Sequence, residues 1–205
     1  MLARTMNPMH EMKGDMSAVI SPRFCHQYPV HLTVVRNPIA VTDSGKYLIT
    51  DEKAHHLLGV KETLWSIHGR HVITDTETNP IATCKKKLFS GLKKWQVFQG
   101  SSSNLLFTAK NCSPIHSKIE VEVYLAGNKK QDYFWDFKVG GCWKERSFVV
   151  YDRDFKPIAR MEKKSRGTSI LGKETFHLTV SSKVDYAFIV TLVVLLCEAK
   201  EDKEN

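Results

Sequence analysis

The sequence predicts an all-β fold with one central helix, a closed β-barrel that encloses a hydrophobic C-terminal α-helix. Three observations predict it. Short segments of alternating hydrophobicity are separated by polar turns, one pattern recurs at an offset of 77 residues, and residues 187–197 would form a helix that is apolar on every side. Strands and helices do not alternate along the chain, which disfavours the parallel sheets of nucleotide-binding α/β folds.

Length and composition suit one large globular domain, with 205 residues, 42% of them apolar and 25% charged. The formal net charge of +8 favours anionic partners such as acidic membranes or nucleic acid. We expect three parts: a flexible leader over residues 1–22, the barrel domain over 23–198, and an acidic solvated tail over 199–205.

The strand prediction rests on alternation. Val30–Val34 and Ile119–Leu125 alternate strictly, and Trp143–Tyr151 alternates less strictly. Turn residues fall between such segments, for example at Asp43-Ser44-Gly45 and Gly140-Gly141. Strands every 8–12 residues with short polar turns favour a sandwich or a barrel.

An internal repeat supports the barrel. Val72-Ile73-Thr74-Asp75 with Pro80-Ile81-Ala82 reappears as Val149-Val150-Tyr151-Asp152 with Pro157-Ile158-Ala159. A shorter copy, Leu48-Ile49-Thr50-Asp51, precedes the first by 24 residues. A duplicated β-meander is one way to build a closed barrel without exposed sheet edges.

Ala187–Cys197 is apolar except for Thr191. As a helix it would span roughly 16 Å, which is too short to cross a bilayer. A helix that is apolar all round must be buried all round, and Asp185 suits the cap position before it. A buried β-strand remains an alternative, because valine and isoleucine are frequent here.

Four segments then resemble a known family: Trp95-Gln96-Val97-Phe98, Phe148–Tyr151, Pro157-Ile158-Ala159 and, most specifically, Val184-Asp185-Tyr186-Ala187-Phe188-Ile189-Val190. They resemble the plant LURP-one-related proteins, of the superfamily that includes the Tubby C-terminal domain and the phospholipid scramblases. The resemblance covers about residues 24–200. It implies a 12-stranded barrel around a central hydrophobic helix and, by analogy with Tubby, a membrane-tethered regulator linked to plant defence. It implies no catalytic residues.

The candidate lipid-binding residues are basic side chains that follow two copies of the repeat. We expect them at hairpin tips, where long side chains keep their charges in water. A solvated loop without a ligand and a nucleic-acid surface remain alternatives, as does a scramblase-type membrane protein or a soluble protein scaffold. The candidates are Lys85, Lys86, Lys87, Lys93, Lys94, Lys163, Lys164 and Arg166.

Other chemistry is not favoured. The aromatic run Tyr133–Phe137 is typical of a strand covered on both sides, and the nine histidines lack zinc-site spacing. No nucleophile elbow or phosphate loop is present, so we expect no enzyme activity, metal or cofactor. Five cysteines without a Cys-x-x-Cys pair indicate reduced thiols.

We expect a monomer that is not secreted and that is cytoplasmic, with peripheral plasma-membrane or nuclear placement left open. Its expected partners are acidic phospholipid headgroups and unidentified proteins, with no direct binding of nucleic acid.

Overall fold

A computed structural model describes residues 18–37, 45–63, 70–87, 94–113, 117–128, 134–163 and 174–204. Within these ranges twelve strands pair antiparallel in chain order, and the last pairs with the first to close a barrel. One helix follows the last strand, which confirms the predicted architecture. The elements are β1 (Val30–Arg36), β2 (Tyr47–Asp51), β3 (His56–Thr63), β4 (Arg70–Thr74), β5 (Pro80–Lys87), β6 (Lys94–Gln99), β7 (Leu105–Asn111), β8 (Lys118–Leu125), β9 (Phe137–Cys142), β10 (Ser147–Tyr151), β11 (Pro157–Lys163), β12 (Glu174–Val180) and α1 (Tyr186–Glu204).

The connections gather at two ends of the barrel because neighbouring strands run in opposite directions. At the proximal end β1 begins, β12 finishes at Val180, and α1 begins a few residues later. At the distal end β1 finishes at Arg36, β2 begins at Tyr47, and Glu198 of α1 contacts Tyr47. The helix therefore runs through the barrel from its proximal to its distal end.

The inner surface of the barrel and the helix form one hydrophobic core. Residues 187–196 are each at most 4% exposed, so the helix is covered on every side. The Phe188 ring packs edge-on against Phe107, with centroids 5.2 Å apart, and lies 4.9 Å from Phe137. Thr191 donates its hydroxyl to the carbonyl of Ala187, which satisfies the one polar side chain in this stretch. The segment is thus a helix, and the alternative of a buried strand is excluded.

Asp185 ties the chain's first described residues to the start of the helix. Its Oδ1 accepts a hydrogen bond from the N–H of Phe188, which is the predicted helix cap. Its Oδ2 accepts from the consecutive N–H groups of Val19, Ile20 and Ser21, at 2.7–3.2 Å. Burial raises the pKa of this carboxyl group, while the four backbone donors act in the opposite direction. Residues 19–21, which the sequence analysis placed in the leader, are therefore held against the barrel.

The predicted repeat appears as three equivalent turns at the proximal end. In each turn an aspartate Oδ1 accepts hydrogen bonds from the N–H groups two and four residues later, beginning at Asp51, Asp75 and Asp152. The residue three positions after each aspartate has a positive φ of 57–65°. The two long copies occupy β4–β5 and β10–β11, six strands apart in a ring of twelve. The repeat unit is therefore half of the barrel.

The turn expected at Gly140-Gly141 is wrong, since both glycines lie inside β9. A Cβ atom on Gly141 would lie 2.3 Å from the carbonyl oxygen of Ser147, so the glycine allows β9 and β10 to approach closely. The turn comes later, at Trp143–Arg146, where the N–H of Arg146 bonds to the carbonyl of Trp143. Trp143 is consequently outside β10.

The aromatic run also differs from its prediction as a doubly covered strand. Tyr133 lies outside the described residues, Phe134 is 63% exposed, and only Phe137 belongs to a strand. The Trp135 ring packs edge-on against the Phe155 ring, whose residue is 66% exposed. Alternation of large aromatics predicted a strand, whereas Phe134 and Trp135 precede β9 and belong to no strand.

Replacing Asp185 tests how far the core depends on this carboxylate. We expect Asp185→Ala to lower the free energy of unfolding by about 3–5 kcal/mol, because it removes a helix cap and leaves buried N–H groups without acceptors. Asp185→Asn retains a single acceptor oxygen and should lie between the two. Guanidinium denaturation followed by tryptophan fluorescence measures the order Asp, Asn, Ala. Equal stability of all three proteins would contradict the role assigned to Asp185.

Candidate functional site: the distal end of the barrel

Five basic residues come together on the outer face of β4–β7 near the distal end. In the strand register Lys87 lies opposite Lys94, and Lys94 lies opposite Lys110, so three lysines sit side by side. One row nearer the proximal end, Arg70 lies opposite Lys85. Hydrogen-bonded strands are about 4.8 Å apart, so the whole group spans only about 15 Å. We call Arg70, Lys85, Lys87, Lys94 and Lys110 the outer basic patch.

The candidate lysines on β5 and β6 divide between the two faces of the barrel. Alternation places Lys85, Lys87 and Lys94 outside, with the Lys85 ammonium 4.8 Å from the centre of the Phe98 ring. Lys86 is on the inner face, where its register partner is the buried Trp95. Three lysines that are consecutive in sequence therefore do not share one surface.

Of the candidates from the second copy, Lys163 is described, and it lies on the opposite side of the distal end. Lys163 is on the inner face of β11, six strands from β5, and its Nζ is 3.6 Å from Glu174. Lys93, Lys164 and Arg166 fall outside the described residues. The structure thus brings together Lys85, Lys87 and Lys94, and separates Lys86 and Lys163 from them.

Sequence reasoning missed two members of the outer basic patch. Lys110 follows Lys94 by sixteen residues, and Arg70 precedes Lys85 by fifteen. Only the pairing of β6 with β7 and of β4 with β5 places them beside the other lysines. Assigning hairpins to the strand pattern could have revealed Lys110, because antiparallel neighbours separated by a short turn have a restricted register.

The patch ends where acidic residues begin on β8. Lys110 lies opposite Glu122, and Glu122 lies opposite Lys138. Lys138 also bonds to Glu120 at 2.8 Å, and this contact raises the pKa of Lys138. Burial acts to raise the pKa of Glu122, but hydrogen bonds from Tyr124 and Cys112 hold it below its ordinary value. Glu122 is therefore ionised at neutral pH and offsets the charge of Lys110 and Lys138, its neighbours on the adjacent strands.

Inside the distal end, Glu198 attaches the helix to the strands. Its carboxylate accepts hydrogen bonds from the Tyr47 hydroxyl at 2.7 Å and from Lys46 at 2.9 Å, and lies 3.3 Å from Nε2 of His71. Burial raises the pKa of Tyr47, and the nearby Cys197 and Glu198 raise it further. Tyr47 thus remains a protonated donor. The contacts of Glu198 with Lys46, Tyr47 and His71 attach the end of the buried part of α1 to the strands.

The described ranges offer little for metal or thiol chemistry. No three His, Cys, Asp or Glu side chains within them are arranged to hold a metal ion. All five cysteines are described, and each is a free thiol. Burial raises the pKa of Cys84 to about 12 and that of Cys25 to about 11, so these two thiols are poor nucleophiles at neutral pH.

Helix α1 does not combine the length and apolarity that a bilayer-spanning helix requires, and no other helix of the described chain does so.

The fold and this end of the molecule define a class of protein in which a twelve-stranded antiparallel barrel is filled by its own C-terminal helix. A sequence profile described as LURP-one-related matches residues 30–197, so this chain belongs to the LURP-one-related family. It is 39% identical to Protein LURP-one-related 15 of Arabidopsis thaliana over 90% of this chain and 87% of that protein. It is 40% identical to Protein LURP-one-related 10 over 92% of this chain and all of that protein.

A solved structure shows the same fold. The chain resembles a crystal structure of an Arabidopsis thaliana protein with a TM-score of 0.69 and 34% sequence identity. The match covers 89% of this chain and 98% of that one. The resemblance stated from the sequence is therefore confirmed at the level of family and fold.

The register of the outer basic patch predicts a cost in stability. Lys94 lies between Lys87 and Lys110, and like charges directly opposite each other are destabilising. We expect Lys94→Glu to raise the free energy of unfolding by about 0.5–1 kcal/mol, since it replaces two repulsions with two attractions. Lys61→Glu is the control, because Lys61 lies opposite the uncharged Val72. Urea denaturation at low salt measures both, and a destabilised Lys94→Glu protein would contradict this reading of the register.

Proposed function

We propose that this protein is a non-enzymatic binding module whose outer basic patch holds acidic phospholipid headgroups, including those of phosphoinositides. The observation that carries the proposal is the row of Lys87, Lys94 and Lys110 on three adjacent strands. Such a row repels itself in the free protein. An anion placed against it relieves the repulsion and gains attraction from each lysine.

The expected free energy of binding to an anionic membrane suits reversible attachment. Each basic residue near an anionic leaflet contributes about 1 kcal/mol, so the four patch residues other than Lys110, whose charge Glu122 offsets, would contribute about 4 kcal/mol. Lysine ammonium groups on long flexible stems reach headgroups without moving the barrel. Since this attraction decays over about 10 Å at 0.1 M salt, binding should weaken steeply as ionic strength rises.

The distribution of charge along the barrel supports one orientation. The outer basic patch lies near the distal end, whereas the aspartate-led turns of Asp51, Asp75 and Asp152 lie at the proximal end. The field of an anionic surface attracts the side of a protein on which basic residues are grouped. The distal side of β4–β7 would face the membrane, and the proximal turns would face away from it.

Burial of the helix favours peripheral attachment over a scramblase-type membrane protein. Side chains from Ala187 to Leu196 are already enclosed by the strands, so inserting them in a bilayer would require the barrel to open. As a regulatory role we propose the one implied by the family resemblance, a membrane-tethered regulator in plant defence that acts at the plasma membrane or in the nucleus. Family membership supports this role.

Vesicle binding tests the proposal. We expect the protein to sediment with phosphatidylcholine vesicles that contain phosphatidylserine or a phosphoinositide, and not with phosphatidylcholine alone. Changing Lys85, Lys87 and Lys94 together to glutamine should weaken binding by about a hundredfold, since three contributions of about 1 kcal/mol are lost. A titration with sodium chloride should show a smaller salt dependence for this variant.

The matched control changes three lysines of the proximal end, Lys53, Lys156 and Lys183, to glutamine. It removes the same net charge from exposed positions and should leave vesicle binding within about threefold of the wild type, because these side chains lie away from the patch. Equal losses in the two variants would indicate attraction by net charge alone. Absence of binding to every anionic vesicle would overturn the proposal and favour a protein-binding scaffold.

A further inference from the structure

A group of exposed aromatic side chains lies at the proximal end, beside the turn between β10 and β11. Phe134 and Phe155 are 63% and 66% exposed, and the half-buried Trp135 packs edge-on against the Phe155 ring, with centroids 5.1 Å apart. We call Phe134, Trp135 and Phe155 the aromatic surface. Single exposed apolar side chains are common, whereas a group of them marks a place where another molecule can bind.

The internal repeat shows that the turn does not require an aromatic residue. The residue three positions after the leading aspartate is Ala54, Thr78 or Phe155, with φ of 62°, 65° and 57°. For a bulky side chain a positive φ is a strained conformation, and strained residues are concentrated at functional sites. The same turn therefore forms around alanine or threonine, and Phe155 adds a large exposed side chain that the fold does not need.

Asp136 fixes the two loops that carry these rings. It is 7% exposed, accepts a hydrogen bond from the side-chain amide of Asn128 at 2.8 Å, and forms an ion pair with Arg153. Asp136 directly follows Trp135 in the chain, and Arg153 belongs to the turn that carries Phe155. The ion pair thus joins the two loops. A surface that is ordered before binding loses little conformational entropy when a partner arrives.

The charges beside the aromatic surface favour a basic partner. Arg153 is paired with Asp136. The rest of the turn at residues 152–156 carries two carboxylates and one ammonium group, those of Asp152, Asp154 and Lys156. Negative charge therefore exceeds positive charge here, which favours a partner that carries a basic residue and disfavours an anionic membrane.

The size of the aromatic surface suits a short segment better than a second copy of this chain. An aromatic side chain buries about 150–250 Å², so the exposed two thirds of Phe134 and Phe155 offer together about 200–330 Å². A stable dimer requires about 800 Å² from each partner. Because the contact is small, its occupant must lose little conformational entropy on binding.

We propose that the aromatic surface binds a proline-rich segment of another protein, with a basic residue beside the prolines. Such a segment is extended before it binds, because the proline rings fix its backbone as a polyproline II helix. It therefore meets the low entropic cost that a small contact demands. Proline-rich segments are recognised in grooves lined by aromatic rings, which pack against the proline rings.

The geometry of the rings suits this ligand. Trp135 and Phe155 meet at an interplanar angle of 87°, so their faces form a corner in which a proline ring can pack. A polyproline II helix leaves its carbonyl groups without internal partners, and an indole N–H can donate to one of them. Asp154 is the exposed residue directly before Phe155 and supplies negative charge for the basic residue of the segment.

The aromatic surface is independent of the outer basic patch. The two lie at opposite ends of the barrel, so in the proposed orientation the aromatic surface faces away from the membrane. Its ligand is a soluble peptide and needs no vesicle. The proposed membrane function can fail without affecting this surface, and the reverse also holds.

A peptide titration tests the proposal, with Trp135 as a local signal. In protein labelled with ¹⁵N, we expect the indole N–H resonance of Trp135 to move saturably with a polyproline peptide that has an arginine at each end. The indoles of Trp95 and Trp143, which lie towards the distal end, should stay in place. The comparison peptide has the same arginines and alternating glycine and serine in place of the prolines, and we expect it to bind about tenfold more weakly or less.

Two substitutions test the residues named. Phe155→Ala should weaken peptide binding by about tenfold, because it removes one wall of the corner. Its thermal midpoint should stay within about 4 °C of the wild type, since alanine occupies the equivalent position at residue 54. Asp154→Lys should weaken binding of the peptide with arginines by about threefold, without changing that of polyproline alone. The control is Leu48→Ala, which removes a partly exposed apolar side chain near the distal end and should bind as the wild type does.

Four results would overturn the proposal. A Trp135 resonance that the polyproline peptide leaves fixed, or peptide binding that Phe155→Ala does not change, would exclude the surface. Equal binding of the glycine and serine peptide would exclude a preference for proline. A Trp135 resonance that moves with protein concentration alone, or with anionic vesicles, would assign the surface to a second copy or to a membrane. The variant with Lys85, Lys87 and Lys94 changed to glutamine should keep the full peptide response, whatever its behaviour with vesicles.

Discussion

The constraint on which the structure depends is a helix without a polar side. Because Ala187–Leu196 is apolar in every direction, the chain must supply a surface that surrounds it, and an open sheet could cover only one side. Closing twelve strands into a ring provides that surface and also removes exposed strand edges. Asp185 at one end and Glu198 at the other then fix the helix along the axis.

A consequence of this arrangement is that the core and the candidate binding surfaces are separate. The interior is taken up by the helix, so ligands are left with the outer wall and the two ends. The proximal turns are shaped by aspartate side chains that satisfy their own backbone, as at Asp51 and Asp152. The distal end instead presents a row of lysines on the outer wall, with Lys94 at its centre, and an ion-paired cluster of Arg36, Arg146 and Glu174. The two ends therefore differ in how their charged side chains are engaged.

The sequence showed which basic residues belong to the candidate site, but not how they are arranged on the barrel. Lys85 and Lys94 were identified from their clustering, yet Lys110 and Arg70 join them only through strand register. Lys86 belongs to the opposite face because side chains alternate along a strand. The ion-pair cluster of Arg36, Arg146 and Glu174 had no counterpart in the sequence analysis, since the three residues come from distant segments. Interactions between such segments leave no local pattern in a single sequence.

By itself the sequence determined the all-β class, the buried C-terminal helix, its Asp185 cap and the presence of an internal repeat. The first three are local properties, set by hydrophobic period, turn chemistry or spacing within a few residues, and the repeat is visible by comparing the chain with itself. Only the tertiary structure decided that Gly140 and Gly141 lie within a strand, that Phe134 and Trp135 lie outside one, and which lysines share a face. Those outcomes depend on which strands become neighbours, and the energy that selects neighbours comes from enclosing the helix as a whole.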